Sequence, residues 1–221
     1  MARTNWAGNL TYRARNFAAP ATVAEVREIV QAVGKVRVVG SRHCFNDIAD
    51  TPDTQISLEH MRNVVALDRE RRQVTVEGGI RYGDLGPWLH ERGFALANLA
   101  SLPHISVAGA TATATHGSGT KVGNLATAVA AIEFVNGDGE LATLSRKDDA
   151  EFPGAVVNLG ALGVVTSLTL DVVPAFEVRQ DLFLDLAAAD LVADFDAIMG
   201  SGYSVSLLTP WTDDRIQQVC V

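Results

Sequence analysis

The chain has 221 residues, room for one large domain or one domain and part of another. Hydrophobic residues make up 48% and charged residues 20%, a balance too apolar for a disordered chain. Lys and Arg total 18 against 26 Asp and Glu, a net charge of −8, which repels phosphate backbones and argues against a nucleic-acid partner.

The first helix is predicted to begin at Thr22, where Thr22-Val23-Ala24-Glu25 reads as a capping box after Pro20. Val23, Val26, Ile29, Val30 and Val33 then recur at helical spacing, and Gly34 supplies the stop. A strand, Val36-Arg37-Val38-Val39, delivers the chain into the polar loop Gly40 to Asn46. Ligands commonly bind at such strand ends in α/β folds. Val64 to Leu67 and Val74 to Val76 predict a hairpin around the solvated tip Asp68 to Arg72, with Gly78-Gly79 as its end. Tyr82, Leu85, Trp88 and Leu89 space as a second helix stopped by Gly93.

From Ser101 to Gly123 the residues turn small, with His104 and His116 among them. Such side chains let backbone come close to a ligand or a neighbouring element. Ala131 to Val135 and Leu141 to Leu144 flank Asn136-Gly137-Asp138-Gly139, a hairpin signal. Val164 to Leu170 predicts a long strand ended by Pro174. Beyond it come a strand around Phe183, a helix from Leu186 to Met199, a strand over Val205 to Leu208, and a last strand opening at Gln218. Two cysteines, Cys44 and Cys220, form no disulfide framework, no apolar leader opens the chain, and no apolar run is long enough for a membrane. A cytoplasmic protein is expected.

Familiar site motifs do not fit. Gly119 is followed by Thr120 before Lys121, so there is no phosphate loop of Walker type. Gly117 and Gly119 begin a dinucleotide fingerprint, but position 122 is Val. No two histidines stand four apart, so no helical zinc pair is present and no metal is expected. His116 and Thr120 stand where a nucleophile elbow around Ser118 needs glycines. What remains are two segments, Val38 to Asn46 and Ser101 to Gly119, each with freed amides, hydroxyls and a histidine. They are either two tight turns or, if they converge, an anion cradle that could hold a pyrophosphate without needing basic side chains.

Taken together these segments resemble the flavin motifs of the vanillyl-alcohol oxidase family of FAD-linked oxidases. Gly40 to Ile48 resembles the attachment loop, Leu99 to Gly109 with Ala114 to Gly119 the second flavin segment, and Gly160 to Thr166 the third. With Asn5-Trp6-Ala7-Gly8-Asn9 and Tyr203 to Leu207, the likeness is greatest to the alditol oxidase branch. The resemblance implies an α+β fold: an FAD-binding domain of two α+β subdomains over residues 1–173, followed by the start of an α+β substrate domain over 174–221. It implies FAD bound covalently through His43 to the flavin 8α-methyl. Further cofactor contacts are implied at Val38, Val39, Gly40, Ser41, Arg42, Cys44, Ser101, Ser106, Gly109, Thr113, Ala114, Thr115, His116, Gly163 and Val165. Ser101 is also the implied catalytic contact to flavin or substrate, and the small Ala100 suits oxygen access. Cys44 is read as a small substitute and not a second link, and His60 and His90 as solvent-facing. The implied partners are a small polyol and O2: the terminal hydroxyl of an alditol such as xylitol or sorbitol is oxidised to an aldose, with H2O2 as co-product. Relatives are longer, and their substrate-binding residues are expected beyond Val221. The alternatives are an aldonolactone oxidase of gulonolactone type and a non-catalytic flavin-binding fragment.

Overall fold

In the computed structural model, which describes residues 3–221, strand β1 (Asn16–Ala18) leads through Pro20 into helix α1 (Val23–Ala32). Thr22 caps this helix by accepting from the Glu25 amide at 3.2 Å, and Glu25 Oε2 accepts from the Ala21 amide at 2.7 Å. The cap and the Glu25 carboxylate thus pin the chain at the helix start from both sides. Strands β2 (Val36–Val39) and β3 (Thr54–Ser57) complete a parallel three-stranded sheet in the order β1-β3-β2. Val26 and Val30 of α1 pack on Ile56, Leu58 and Met61, and each such burial is worth about 1.5–3 kcal/mol. The sequence pattern misses β1 and β3, because Thr54-Gln55-Ile56-Ser57 has one apolar residue and no alternation to read. Gln55 is nevertheless fully buried, its amide donating to Ala49 O at 2.7 Å.

The second unit is built on alternation. Strands β4 (Val64–Asp68) and β5 (Gln73–Glu77) form the expected hairpin. Helix α2 (Tyr82–His90) follows, then β6 (Phe94–Ala95), with Gly93 at φ +82° turning the chain between them. The small-residue stretch contains an unexpected short helix, α3 (Val107–Ala112), and a 3₁₀ turn at Leu125–Ala128. Strands β7 (Val129–Val135) and β8 (Leu141–Ser145), helix α4 (Phe152–Val156) and strand β9 (Val164–Asp171) complete an antiparallel sheet of order β4-β5-β9-β7-β8. Val74, Val76, Leu168 and Leu170 send one face of it against Leu85 and Leu89 of α2. Strand β10 (Val173–Pro174) pairs with β6.

After Pro174 the chain builds a third sheet. Strands β11 (Leu182–Ala187), β12 (Ser206–Leu208) and β13 (Arg215–Cys220) run antiparallel in the order β11-β13-β12 around Val205, Ile216 and Val219. The single helix expected over 186–199 is two short ones, α5 (Ala188–Ala193) and α6 (Phe195–Met199). Leu186 and Ala187 instead end β11, and Asp194 breaks the helix at φ −120°, ψ 29°. The unit is tied to the rest: Ser206 Oγ donates to Ser118 Oγ at 3.2 Å, Ser204 Oγ also meets Ser118 Oγ, and Tyr203 OH donates to Ala97 O. The class is α+β, as the resemblance implied.

Candidate functional site

Strand β2 ends at Gly40, and two glycines there allow the polar segments to meet. A Cβ on Gly40 would strike Ser106 Oγ and lie 3.8 Å from the Gly109 Cα. A Cβ on Gly109 would lie 2.7 Å from the same Ser106 oxygen. The loop after β2 and the start of α3 are thus in contact across Ser106. A third wall comes from Asn158 to Gly160, Gly163 and Val165 at the entry to β9. Together they enclose a cavity of about 890 Å³, within the usual span for small-molecule and cofactor sites.

Val38, Val39, Gly40, Ser41, Arg42, His43, Cys44, Ser101, Ser106, Gly109, Thr113, Thr115, His116, Gly163 and Val165 all line this cavity. Ala114 does not. It adopts φ +54° and turns the chain after α3, so its neighbours Thr113 and Thr115 face the wall in its place. Thr113 Oγ1 is spent on Gly109 O at 2.9 Å. The wall carries five arginines, Arg3, Arg37, Arg42, Arg62 and Arg81, against one acid, Glu59. The site is basic although the chain is acidic. Sequence reasoning did not assign His104, Asn158 or four of these arginines to the site; of those four only Arg37, a lone cation in a valine strand, gave a signal.

His43 is held in an aromatic stack. Its ring lies 4.4 Å from that of Trp6 at 21° and 5.0 Å from that of His104, with Phe45 edge-on at 6.1 Å. The loop is clamped by the N-terminal segment: the Trp6 amide donates to Arg42 O at 2.8 Å, and Asn5 Nδ2 to Cys44 O at 3.0 Å. Burial pushes the Cys44 thiol pKa up, which keeps it protonated and inert at neutral pH. Burial alone would raise the Asp50 pKa, but hydrogen bonds from the Arg13 amide and guanidinium and the Thr51 amide hold it below the usual carboxylate value. Asp50 thereby anchors the loop's far end, a contribution present at neutral pH and lost as pH falls through its depressed pKa.

Buried polar atoms rarely lack partners. Here His43 Nε2, His104 Nε2, Gln55 Oε1 and Ser106 Oγ are all buried and unpartnered, and all four residues line this cavity. Freed backbone, unpartnered buried polar atoms and arginines together fit a large, polar, anionic cofactor. Among the described residues no cluster of His, Cys, Asp or Glu could hold a metal ion, and no helix is long and apolar enough to cross a membrane.

A two-subdomain α+β fold with this basic, glycine-lined cavity defines a domain for a flavin dinucleotide. Residues 14–145 match the FAD binding domain family, and the chain belongs to it. It is 46% identical over 219 residues to the alditol oxidase of a Streptomyces species, covering 98% of this chain and 52% of that protein. It is 39% identical over 184 residues to the L-gulonolactone oxidase of Mus musculus, covering 81% of this chain and 42% of that one. Cholesterol oxidase from Brevibacterium sterolicum shares the fold at a TM-score of 0.85 and 19% identity, over 100% of this chain and 47% of its own. The chain spans about half the length of the curated relatives it matches.

Gly109→Val is expected to cut flavin content, because overpacking beside Ser106 costs about 1–3 kcal/mol. Glu70→Val at the exposed hairpin tip should leave it unchanged. The ratio of flavin to protein absorbance decides, and equal ratios in the two variants refute the expectation.

Proposed function

We propose that the chain is the FAD-bearing part of an oxidase that converts the terminal hydroxyl of an alditol, such as xylitol or sorbitol, to an aldose, with O2 as acceptor and H2O2 as product. The cofactor half of this reading is carried by His43, stacked on the cavity wall with Nε2 buried and unpartnered. The substrate half rests on 46% identity along nearly the whole chain to an alditol oxidase, against 39% over a shorter stretch for the lactone oxidase. Two free cysteines, Cys44 and Cys220, suit a cytoplasmic enzyme.

Bound FAD supplies the hydride acceptor for such an oxidation. His43 holds it through a covalent bond to the 8α-methyl, with the Trp6 and His104 rings fixing the imidazole's direction. Gly40, Gly109 and Gly163 let the main chain close around it, and Thr115 and His116 add polar contacts from the second segment. Ser101 stands exposed on the cavity wall beside Ala100, so its hydroxyl is free to meet a polyol.

A polyol panel assayed by peroxide release from the intact enzyme tests the assignment. Xylitol or sorbitol should be the fastest substrates, and faster turnover of L-gulono-1,4-lactone overturns the alditol reading. The 221 residues alone are expected to bind FAD yet turn over polyols at a small fraction of the rate of the Streptomyces relative. Ser101, Leu102 and Pro103 all face solvent, so nothing on that side excludes water or orients a substrate, and orientation can be worth roughly 7–11 kcal/mol. Peroxide release at the relative's rate by these residues alone refutes that expectation.

A further inference from the structure

The paired glycines after β5 have a role that the hairpin alone does not require. A Cβ on Gly79 would strike Leu58 O and lie 2.7 Å from Met61 O, and the Gly79 amide donates to Met61 O at 2.9 Å. A Cβ on Gly78 would strike Val165 O, and the Gly78 amide donates to Thr166 O at 2.7 Å. The chain after β3 and the chain after β5 are therefore pressed backbone to backbone. Arg62 leaves the first of these just past Met61, and Arg81 leaves the second two residues past Gly79. Arg81 is also backbone-paired with Ser106, whose buried hydroxyl separates Gly40 from Gly109.

The two arginines differ from the others on the wall. Arg3 lies over the Phe17 ring at 3.6 Å, Arg37 donates to Gly160 O at 3.4 Å, and Arg42 donates to Thr4 O at 3.3 Å. Arg62 and Arg81 form no ion pair among the described residues. Both are exposed and both line the cavity, which places them at its rim. A neutral polyol has no use for this charge. The anion in the system is the diphosphate of the dinucleotide.

We propose that Arg62 and Arg81 are an anion-capture pair at the cavity rim, drawing the FAD diphosphate out of solution and toward the cradle around Ser106. The proposal rests on the reading of the cavity as the FAD site and adds to it how the cofactor arrives. An acidic protein repels an anion at long range, so a local reversal of sign is needed for fast uptake.

The test is stopped-flow flavin uptake by flavin-free protein from riboflavin-starved cells, with FAD and with uncharged riboflavin as probes. At 10 mM salt the screening length is about 30 Å, and at 500 mM only a few ångströms. FAD association should slow about tenfold or more across that range, as steered encounters do, while riboflavin association stays flat. Arg62→Gln/Arg81→Gln should slow FAD uptake at low salt by about five-fold or more and flatten its salt dependence. Arg71→Gln/Arg72→Gln, the same charge change at the hairpin tip, should do neither. Unaltered riboflavin uptake by the rim variant shows that its cavity is intact, and the salt dependence of the unmodified protein decides without any variant. FAD uptake as insensitive to salt as that of riboflavin, or equal slowing in the two double variants, overturns the capture pair and leaves the FAD site standing. No FAD uptake at any salt overturns both.

Discussion

Acid denaturation of the unmodified protein is expected to give a yellow precipitate, and His43→Ala a colourless one with all flavin in the supernatant. In the unmodified protein the flavin mass should appear on the proteolytic peptide that contains His43. The reason is geometric. His43 alone combines a place on the cavity wall, a ring packed against both Trp6 and His104, and a loop tied down by Asn5, Trp6 and the Arg13–Asp50 pair. His104 shares the stack, so His104→Ala is the informative partner variant: it should retain bound colour after denaturation. Flavin released from the unmodified protein refutes the covalent assignment.

The second large effect is on stability. Gly163→Ala is expected to cost roughly 2–6 kcal/mol, from overpacking and a strained left-handed backbone together. Gly163 has φ +136°, and a Cβ there would strike Val135 O and lie 2.9 Å from Val135 C. Both obstacles belong to the main chain of β7, where β9 is paired to it, so no side-chain rotation relieves them. Gly137 is the control. It lies at the β7–β8 turn with open space around it, and Gly137→Ala should shift the urea midpoint by no more than about 0.5 kcal/mol of stability. Similar midpoints for the two variants refute the argument.

The parts of the fold readable from sequence were those whose burial is written as spacing. Thr22 with Glu25, the valines of α1, and the alternation in β5 and β9 each announce one face. The parts that were not readable lack that record. β3 is buried on both faces with a single isoleucine, and α3 is made of Val, Ala, Gly and Thr, which promise no particular shape. The helix drawn through Asp194 failed because its apolar residues continue in phase across a backbone break.

The cavity divides in the same way. Gly40, Ser41 and His43, and Ser106 to His116, stood out because small residues around a histidine are unusual. Arg62 and Arg81 did not, since a lone arginine in a loop reads as solvated charge until the contact of Gly78 and Gly79 is known. The whole-chain charge of −8 gave no sign of the arginines on this wall. Charge summed over a sequence says nothing about where the positive members gather.

The cavity wall draws on residues near 40, near 105 and, last, from Asn158 to Val165. No shorter stretch contains it, so during synthesis the emerging chain cannot grip a flavin until Val165 has cleared the ribosome and β9 has inserted between β5 and β7. Cofactor loading therefore waits for the third wall of the cavity, and a ribosome stalled before that point should carry a chain that stays colourless however much FAD surrounds it.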